Sequence, residues 1–277
     1  MPYRTQKEKA QFFRQLHKDG LVLPNAWDAA SARIFEQAGF PAVATTSSGV
    51  AAALGYPDGE RISRKMLIEM VRHITRVVEC PVSVDLEAGY GDTLEEVLET
   101  VKEIIHAGAV GINIEDSTKQ GERKLVNLEY QCALLGEIQE IAASMDVPLV
   151  INARTDVYVL KLGSNDDERF ELAVKRLRAY RQAGADSLFP ILLRDADTIA
   201  RLVKSLDGPV NIIAGPATPS IAELKQLGVR RISFGSNIMR ASLGYLRYIA
   251  QDLHENGSFD ALTTHVLSNE DWKSLTR

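Results

Sequence analysis

A chain of 277 residues, 45% of them hydrophobic, can bury a large core without disulfide or metal staples. Its formal net charge of −5, with basic residues scattered along amphipathic segments, excludes the electrostatic footprint of a protein that grips a phosphate polymer. No run approaches the roughly 18 apolar residues of a membrane span, the polar N-terminus has no signal-peptide core, and Cys80 and Cys132 stand far apart, so the expectation is a cytoplasmic protein with no membrane and no nucleic-acid partner.

Taken in chain order, short apolar runs at 21–24, 42–45, 82–86, 111–115, 149–153, 187–190, 210–214 and 231–235 read as eight strands. Between them, apolar residues recur at helical spacing, as in Leu94, Val97, Leu98, Val101, Ile104 and Ile105. Regular alternation without a Pro/Gly/Ser-rich linker predicts a single (β/α)8 TIM-type barrel rather than a doubly wound sheet, and no Gly-x-Gly-x-x-Gly follows any predicted strand. Gly39, Gly108, Gly184 and Gly228 stand where a helix would close before the chain re-enters the barrel. The polar stretch 117–127, with a central glycine, follows the acidic pair Glu115-Asp116 and reads as a lid. We expect one domain over 1–277, with 238–277 as a C-terminal helix and tail whose Trp272 docks on a neighbouring surface.

Three strand ends carry charge: Val82-Ser-Val-Asp-Leu-Glu87, Gly111-Ile-Asn-Ile-Glu115 and Leu149-Val-Ile-Asn-Ala-Arg154-Thr-Asp156. In a parallel barrel such ends meet at one mouth, where unpaired carboxylates would be costly to bury. Side-chain alternation would set Asp85 beside Glu87, and Arg154 beside Asp156, provided the strands remain extended there. A cation resolves the clustered charge, and an all-oxygen donor set of Asp85, Glu87 and Glu115 favours Mg2+, with Mn2+ as substitute, over zinc. His17, His73, His106, His254 and His265 fall in predicted helices or the tail and are expected at the surface. Gly235-Ser236, before the last helix, is a weaker anion-site candidate that reads better as an ordinary helix cap.

With Pro24-Asn-Ala-Trp-Asp-Ala-Ala-Ser-Ala and Thr46-Ser-Ser-Gly-Val, these runs occur in the order found in the isocitrate lyase/phosphoenolpyruvate mutase superfamily, which the chain resembles over about residues 20–245. The resemblance implies a barrel that binds Mg2+ and a small 2-oxo acid, in a homo-oligomer, dimer or tetramer, with an exchanged C-terminal helix. By position, Asp85 resembles the direct metal ligand, and Asp58, Glu87 and Glu115 resemble carboxylates that hold metal-bound water. Thr46, Ser48, Gly49 and Val50 resemble the cradle of the substrate carboxylate, Arg154 the group facing the enolate oxygen, and Asn211 with Thr218 the contacts to the far end of the substrate.

Two departures bear on the reaction. Isocitrate- and methylisocitrate-cleaving members have a Lys-Lys/Arg-Cys-Gly-His lid, whereas this lid has no cysteine and offers Lys119 and Glu122, with Arg123 and Lys124, as acid–base candidates. Cys132 lies beyond it in a predicted helix. After Phe189-Pro190, where those lyases have Glu and phosphonate enzymes His, stands Ile191. The resemblance therefore implies a Mg2+-dependent lyase of a small 2-oxo or 2-hydroxy dicarboxylate, acting by oxaloacetate-type decarboxylation or C–C cleavage. The alternatives are phosphoenolpyruvate mutase or phosphonopyruvate hydrolase chemistry and, from another class, a non-catalytic 2-oxo acid binding protein.

Overall fold

In the computed structural model, which describes residues 5–119 and 121–275, every named strand pairs in parallel with its neighbours. The strands are β1 (Leu21–Leu23), β2 (Asn25–Ala26), β3 (Val43–Thr45), β4 (Val82–Asp85), β5 (Gly111–Glu115), β6 (Val150–Thr155), β7 (Ser187–Pro190), β8 (Asn211–Ile213) and β9 (Arg231–Ser233). The first predicted strand is split because Pro24 has no N–H to donate; its carbonyl still accepts from the Ala44 amide at 2.9 Å. The orders β8-β9-β1 and β2-β3-β4-β5-β6-β7 are therefore consecutive parts of one ring. A parallel bridge between Leu188 and Val210 brings β7 back to β8. The fold is the expected (β/α)8 barrel.

Helices wall the ring because one face of each is apolar. In helix Leu94–His106, Val97, Val101, Ile104 and Ile105 are buried, and a reciprocal Thr93–Glu96 capping box starts it. Gly39, Gly108, Gly184 and Gly228 have φ of 89°, 96°, 106° and 91°, the left-handed values that end a helix without a Cβ penalty. Helix Gln6–Asp19 lies across the N-terminal ends of the strands. Phe13 packs on Gly111, Arg14 donates to the Leu149 carbonyl at 3.1 Å, and His17 reaches Arg231. His17 is only 2% exposed, which corrects its expected surface position: it precedes β1 directly and is turned under the barrel.

Inside the ring, register aligns Asn113 with Asn152, Asn152 with Ser187, and Asn211 with Arg231. All five are buried, so part of the barrel interior is polar where aliphatic layers are usual. Beyond the barrel, helix Asn237–Gln251 continues into a π-helical turn, Asp252–Asn256, a 3-10 turn, Asp260–Thr263, and helix Asn269–Ser274. Tyr245 Oη donates to the carbonyls of Ala261 (2.8 Å) and Thr264 (2.9 Å), folding this tail back on its helix. Among the described residues no helix is long and apolar enough to cross a membrane.

Candidate active site at the barrel mouth

A cavity of about 250 Å³ opens among the strand ends, lined by Thr46, Ser48, Asp58, Asp85, Glu115, Lys119, Arg123, Arg154, Ile191, Asn211 and Arg231 among others. Asp85 closes β4. Its Oδ2 accepts from the Ser47 amide and its Oδ1 from Asn113 Nδ2, both at 2.9 Å, which fixes the carboxylate at the cavity wall. Asn113 in turn accepts from Asn152 Nδ2 at 2.8 Å, a row of amides that follows the β5–β6 register.

Strand alternation fails at Glu87. β4 stops at Asp85, and Glu87 takes φ of 50°, so its side chain leaves the face that Asp85 uses. Its Oε1 instead accepts from the Glu60 amide (3.0 Å) and Tyr90 Oη (3.1 Å). Glu60 returns the contact, its Oε1 accepting from the amides of Ala88 (2.9 Å) and Tyr90 (3.1 Å). Glu60, Glu87 and Tyr90 are all left-handed, at φ of 56°, 50° and 57°, and such strain gathers where a site imposes a backbone. Glycine is required next to them, because at φ of 118° a Cβ on Gly89 would clash with the Val97 side chain.

Alternation holds on β6. Arg154 Nε pairs with Asp156 Oδ1 at 2.7 Å, and its Nη1 lies 2.8 Å from Glu115 Oε2. Arg123 of the lid also reaches Asp156 and Glu115, and Ser117 Oγ donates to Asp156 Oδ2 at 2.6 Å. Lys119 Nζ stands between Glu115 Oε1 (2.5 Å) and Glu87 Oε2 (3.1 Å). Beneath this network Asp116, fully buried, accepts from Arg176 Nε, Thr155 Oγ1 and Tyr180 Oη at 2.6–2.7 Å and from the Asp156 amide at 2.8 Å. It anchors the strand ends that carry Glu115 and Arg154.

The charges interact strongly. Burial first, then Asp85 and Asp58, pushes the Glu87 carboxyl up to about 7, against the pull of Lys119. Burial likewise raises Glu115, with Asp156 adding to it and Arg154 opposing it. Burial alone would depress the Lys119 ammonium, but Glu115 and Glu87 outweigh it and hold the group protonated above its ordinary range.

The donor set fits a hard divalent cation. Glu87 Oε2 and Glu115 Oε2 are buried and make no hydrogen bond of good geometry, although each lies within ion-pair distance of a lysine or arginine. Of these two, Glu115 lines the cavity, where Asp85 and Asp58 present further lone pairs, whereas Glu87 is set back behind Lys119. Among the described residues no three His, Cys, Asp or Glu side chains are already gathered as a finished metal site, since Lys119 separates Glu87 from Glu115.

The sequence profile of the phosphoenolpyruvate phosphomutase family matches residues 13–254. The chain belongs to that family. It is 36% identical over 226 residues, 81% of either chain, to the uncharacterised protein Rv1998c of Mycobacterium tuberculosis. With a 2-methylisocitrate lyase of Aeropyrum pernix it shares 29% identity over 87% of this chain and 78% of the lyase. Its fold matches a phosphonopyruvate hydrolase solved with oxalate and Mg2+ at a TM-score of 0.84 and 26% identity, covering 96% and 94% of the two chains. Membership of the wider isocitrate lyase/phosphoenolpyruvate mutase superfamily, expected from the motifs, is thereby established.

For this phosphoenolpyruvate phosphomutase family protein, the structure brings most of the expected site residues to one place. Asp58, Asp85, Glu115, Lys119, Arg154, Asn211, Thr46 and Ser48 line the cavity. Glu87 joins through Lys119 rather than by facing the cavity itself. Four of the expected residues, Glu122, Thr218, Gly49 and Val50, do not line it. Glu122 is exposed, on the outer side of a turn in which Thr118 and Lys124 pair, so Lys119 and Arg123 point inward in its stead. Thr218 bonds within its own turn, to Gly215, and stays off the cavity. Gly49 and Val50 spend their amides on Thr46, at 3.4 Å to Oγ1 and 2.9 Å to the carbonyl. What Gly49 supplies is space, since a Cβ there would meet Thr46 Cγ2 at 2.5 Å.

Several contributors escaped the sequence reading. Glu60 and Arg231 carry no local motif, and Asn113, although inside the Gly111–Glu115 run, shows its role only through its pairing with Asp85 and Asn152. Asp116 and Asp156 were visible as acidic neighbours of Glu115 and Arg154, but nothing in their spacing separates an anchoring carboxylate from a ligand. Cys132 sits half-buried in helix Leu128–Ser144, outside the lid, and burial pushes its thiol up.

Proposed function

We propose that the chain is a Mg2+-dependent lyase that decarboxylates, or cleaves a C–C bond of, a small 2-oxo or 2-hydroxy dicarboxylate of the oxaloacetate type. The observation that carries this reading is Arg154, clamped between Glu115 and Asp156 and facing the cavity that Asp85 also lines. Mg2+, or Mn2+ in its place, would be held by Asp85 with Asp58, Glu87 and Glu115 around it, and would supply Lewis-acid polarisation of the 2-oxo group. Thr46 and Ser48 line the cavity where the 1-carboxylate would bind. As the bond between carbons three and four breaks, its electron pair passes into the 2-oxo group, CO2 departs, and Arg154 balances the charge growing on the enolate oxygen. Lys119, the inward cation of the lid, can return a proton to carbon three and regain one from solvent.

A second reading, phosphoenolpyruvate mutase or phosphonopyruvate hydrolase chemistry, is favoured by the likeness to the hydrolase solved with oxalate and Mg2+. Against it, Ile191 lines the cavity where a polar group would meet a phosphonate. A binding protein without turnover is the third outcome. Purified protein assayed with Mg2+ against oxaloacetate, phosphonopyruvate, isocitrate and methylisocitrate separates these readings. Turnover of oxaloacetate to pyruvate and CO2 is expected, whereas rapid isocitrate cleavage would refute the lid's part in it, and tight binding without any turnover would leave the binder.

We further propose cytoplasmic residence and a single 1–277 domain that assembles as a homo-oligomer. Among the described residues, nine of the fourteen exposed large hydrophobics fall between Leu243 and Trp272, too many for a tail whose partners all lie in its own chain. A second copy, covering 238–277, is the occupant that the family resemblance implies.

A further inference from the structure

The deepest charge in the cavity is unlike the others. Arg231, the first residue of β9, is 2% exposed and lines the same cavity as Asp85, but from the N-terminal end of its strand. The other arginines that line the cavity, Arg123 and Arg154, each pair with carboxylates. Among the described residues Arg231 has none within ion-pair distance. Its Nη1 meets His17 Nε2 at 3.1 Å and its Nη2 meets Ser83 Oγ at 3.3 Å, while Nε is buried without a hydrogen bond.

His17 is built to accept. Its Nδ1 lies 2.8 Å from the Phe13 carbonyl, so the ring proton belongs there and Nε2 offers a lone pair to the guanidinium. Burial first, and then the charge of Arg231, holds the imidazole down at about 3, so it stays neutral. Burial pushes Arg231 itself down to about 9, with Asp85 pulling the other way, and the group remains a cation at neutral pH. A guanidinium has five N–H donors, and isolating one in a barrel interior is expensive unless an anion meets it. The polar groups that touch it are neutral, and the counter-charge it feels, from Asp85, lies beyond ion-pair distance.

We propose that Arg231, oriented by His17 and flanked by Ser83, is an anion subsite that takes the second carboxylate of a 2-oxo dicarboxylate and selects such acids over 2-oxo monocarboxylates. The inference rests on the 2-oxo acid reading and sharpens it, because Ile191, which also lines the cavity, offers no polar group to a second carboxylate. A cavity of about 250 Å³ has ample room for a four-carbon acid between Asp85 and Arg231.

Dissociation constants measured with Mg2+ for oxalate, pyruvate and oxaloacetate test it, the last by stopped-flow competition against oxalate before turnover. The wild-type chain should bind oxaloacetate at least about 10-fold more tightly than pyruvate, the scale of one charge-assisted hydrogen bond. Arg231→Met should reduce that preference to within about 3-fold while oxalate binding persists, and Arg231→Lys should restore part of it. Equal binding of pyruvate and oxaloacetate by the wild type, which needs no variant to fold, would overturn the subsite. So would full preference retained in Arg231→Met. If the wild type fails to bind oxalate with Mg2+, the 2-oxo acid reading itself falls and takes the subsite with it.

Discussion

Arg154 is held by two carboxylates rather than one, and that arrangement has separable consequences. Replacing it with methionine leaves Glu115 and Asp156 buried beside an apolar chain. We expect Arg154→Met to lower turnover of the accepted substrate by about 100-fold or more, as removal of a preorganised charge donor does elsewhere. Arg154→Lys should fall between the two, because an ammonium cannot reproduce the paired geometry. Glu87 makes a different prediction. Its carboxyl is raised from 4.5 to about 7 in the folded, metal-free chain, so the fold binds a proton that the unfolded chain has already released. Its contribution therefore favours the fold at low pH and is lost as pH rises from about 4.5 through about 7. Urea denaturation of wild type and Glu87→Gln at pH 5 and pH 8 should show the wild type losing more stability than the variant across that interval. An equal loss in both would assign the pH dependence to other groups.

At the level of elements, the site depends on how strands end. β4 stops at Asp85 and turns through Glu87 to Gly91, whereas β6 remains extended through Thr155, and the sequence did not distinguish them. The eight apolar runs, the helix-ending glycines and the charged strand ends were legible because period and turn chemistry are local properties. The left-handed backbone at Glu87 was not, since it is imposed by Glu60 from a separate loop. Nor was the inward turn of Lys119 and Arg123, which depends on where Thr118 pairs with Lys124. Asp116 shows the same limit, because its four partners come from Thr155 and Asp156 at the end of β6 and from helix Asp166–Gln182. Removing it should strand Arg176 in the interior, and Asp116→Ala should cost about 3–5 kcal/mol in urea denaturation. Cys132→Ser, at a residue that does not line the cavity, should leave turnover within about 2-fold of wild type, on the footing that substitutions away from such networks are small.

For the whole molecule, the barrel separates two tasks. Its C-terminal strand ends gather the carboxylates and Arg154, and helix Gln6–Asp19 closes the opposite end over Arg231. The exposed apolar residues from Leu243 to Trp272 lie outside both, and light scattering on the full chain should report a dimer or tetramer, with Leu246→Glu shifting it toward the monomer. That assembly is secondary to the chemistry. The claim on which everything else rests is that Asp85 and Arg154 together make a place for a divalent cation and a 2-oxo acid. Calorimetric titration of oxalate into the protein, with and without Mg2+, tests it most directly: binding that requires Mg2+ and disappears in Asp85→Ala is the predicted result, and equally tight binding in metal-free wild type or in Asp85→Ala would contradict it.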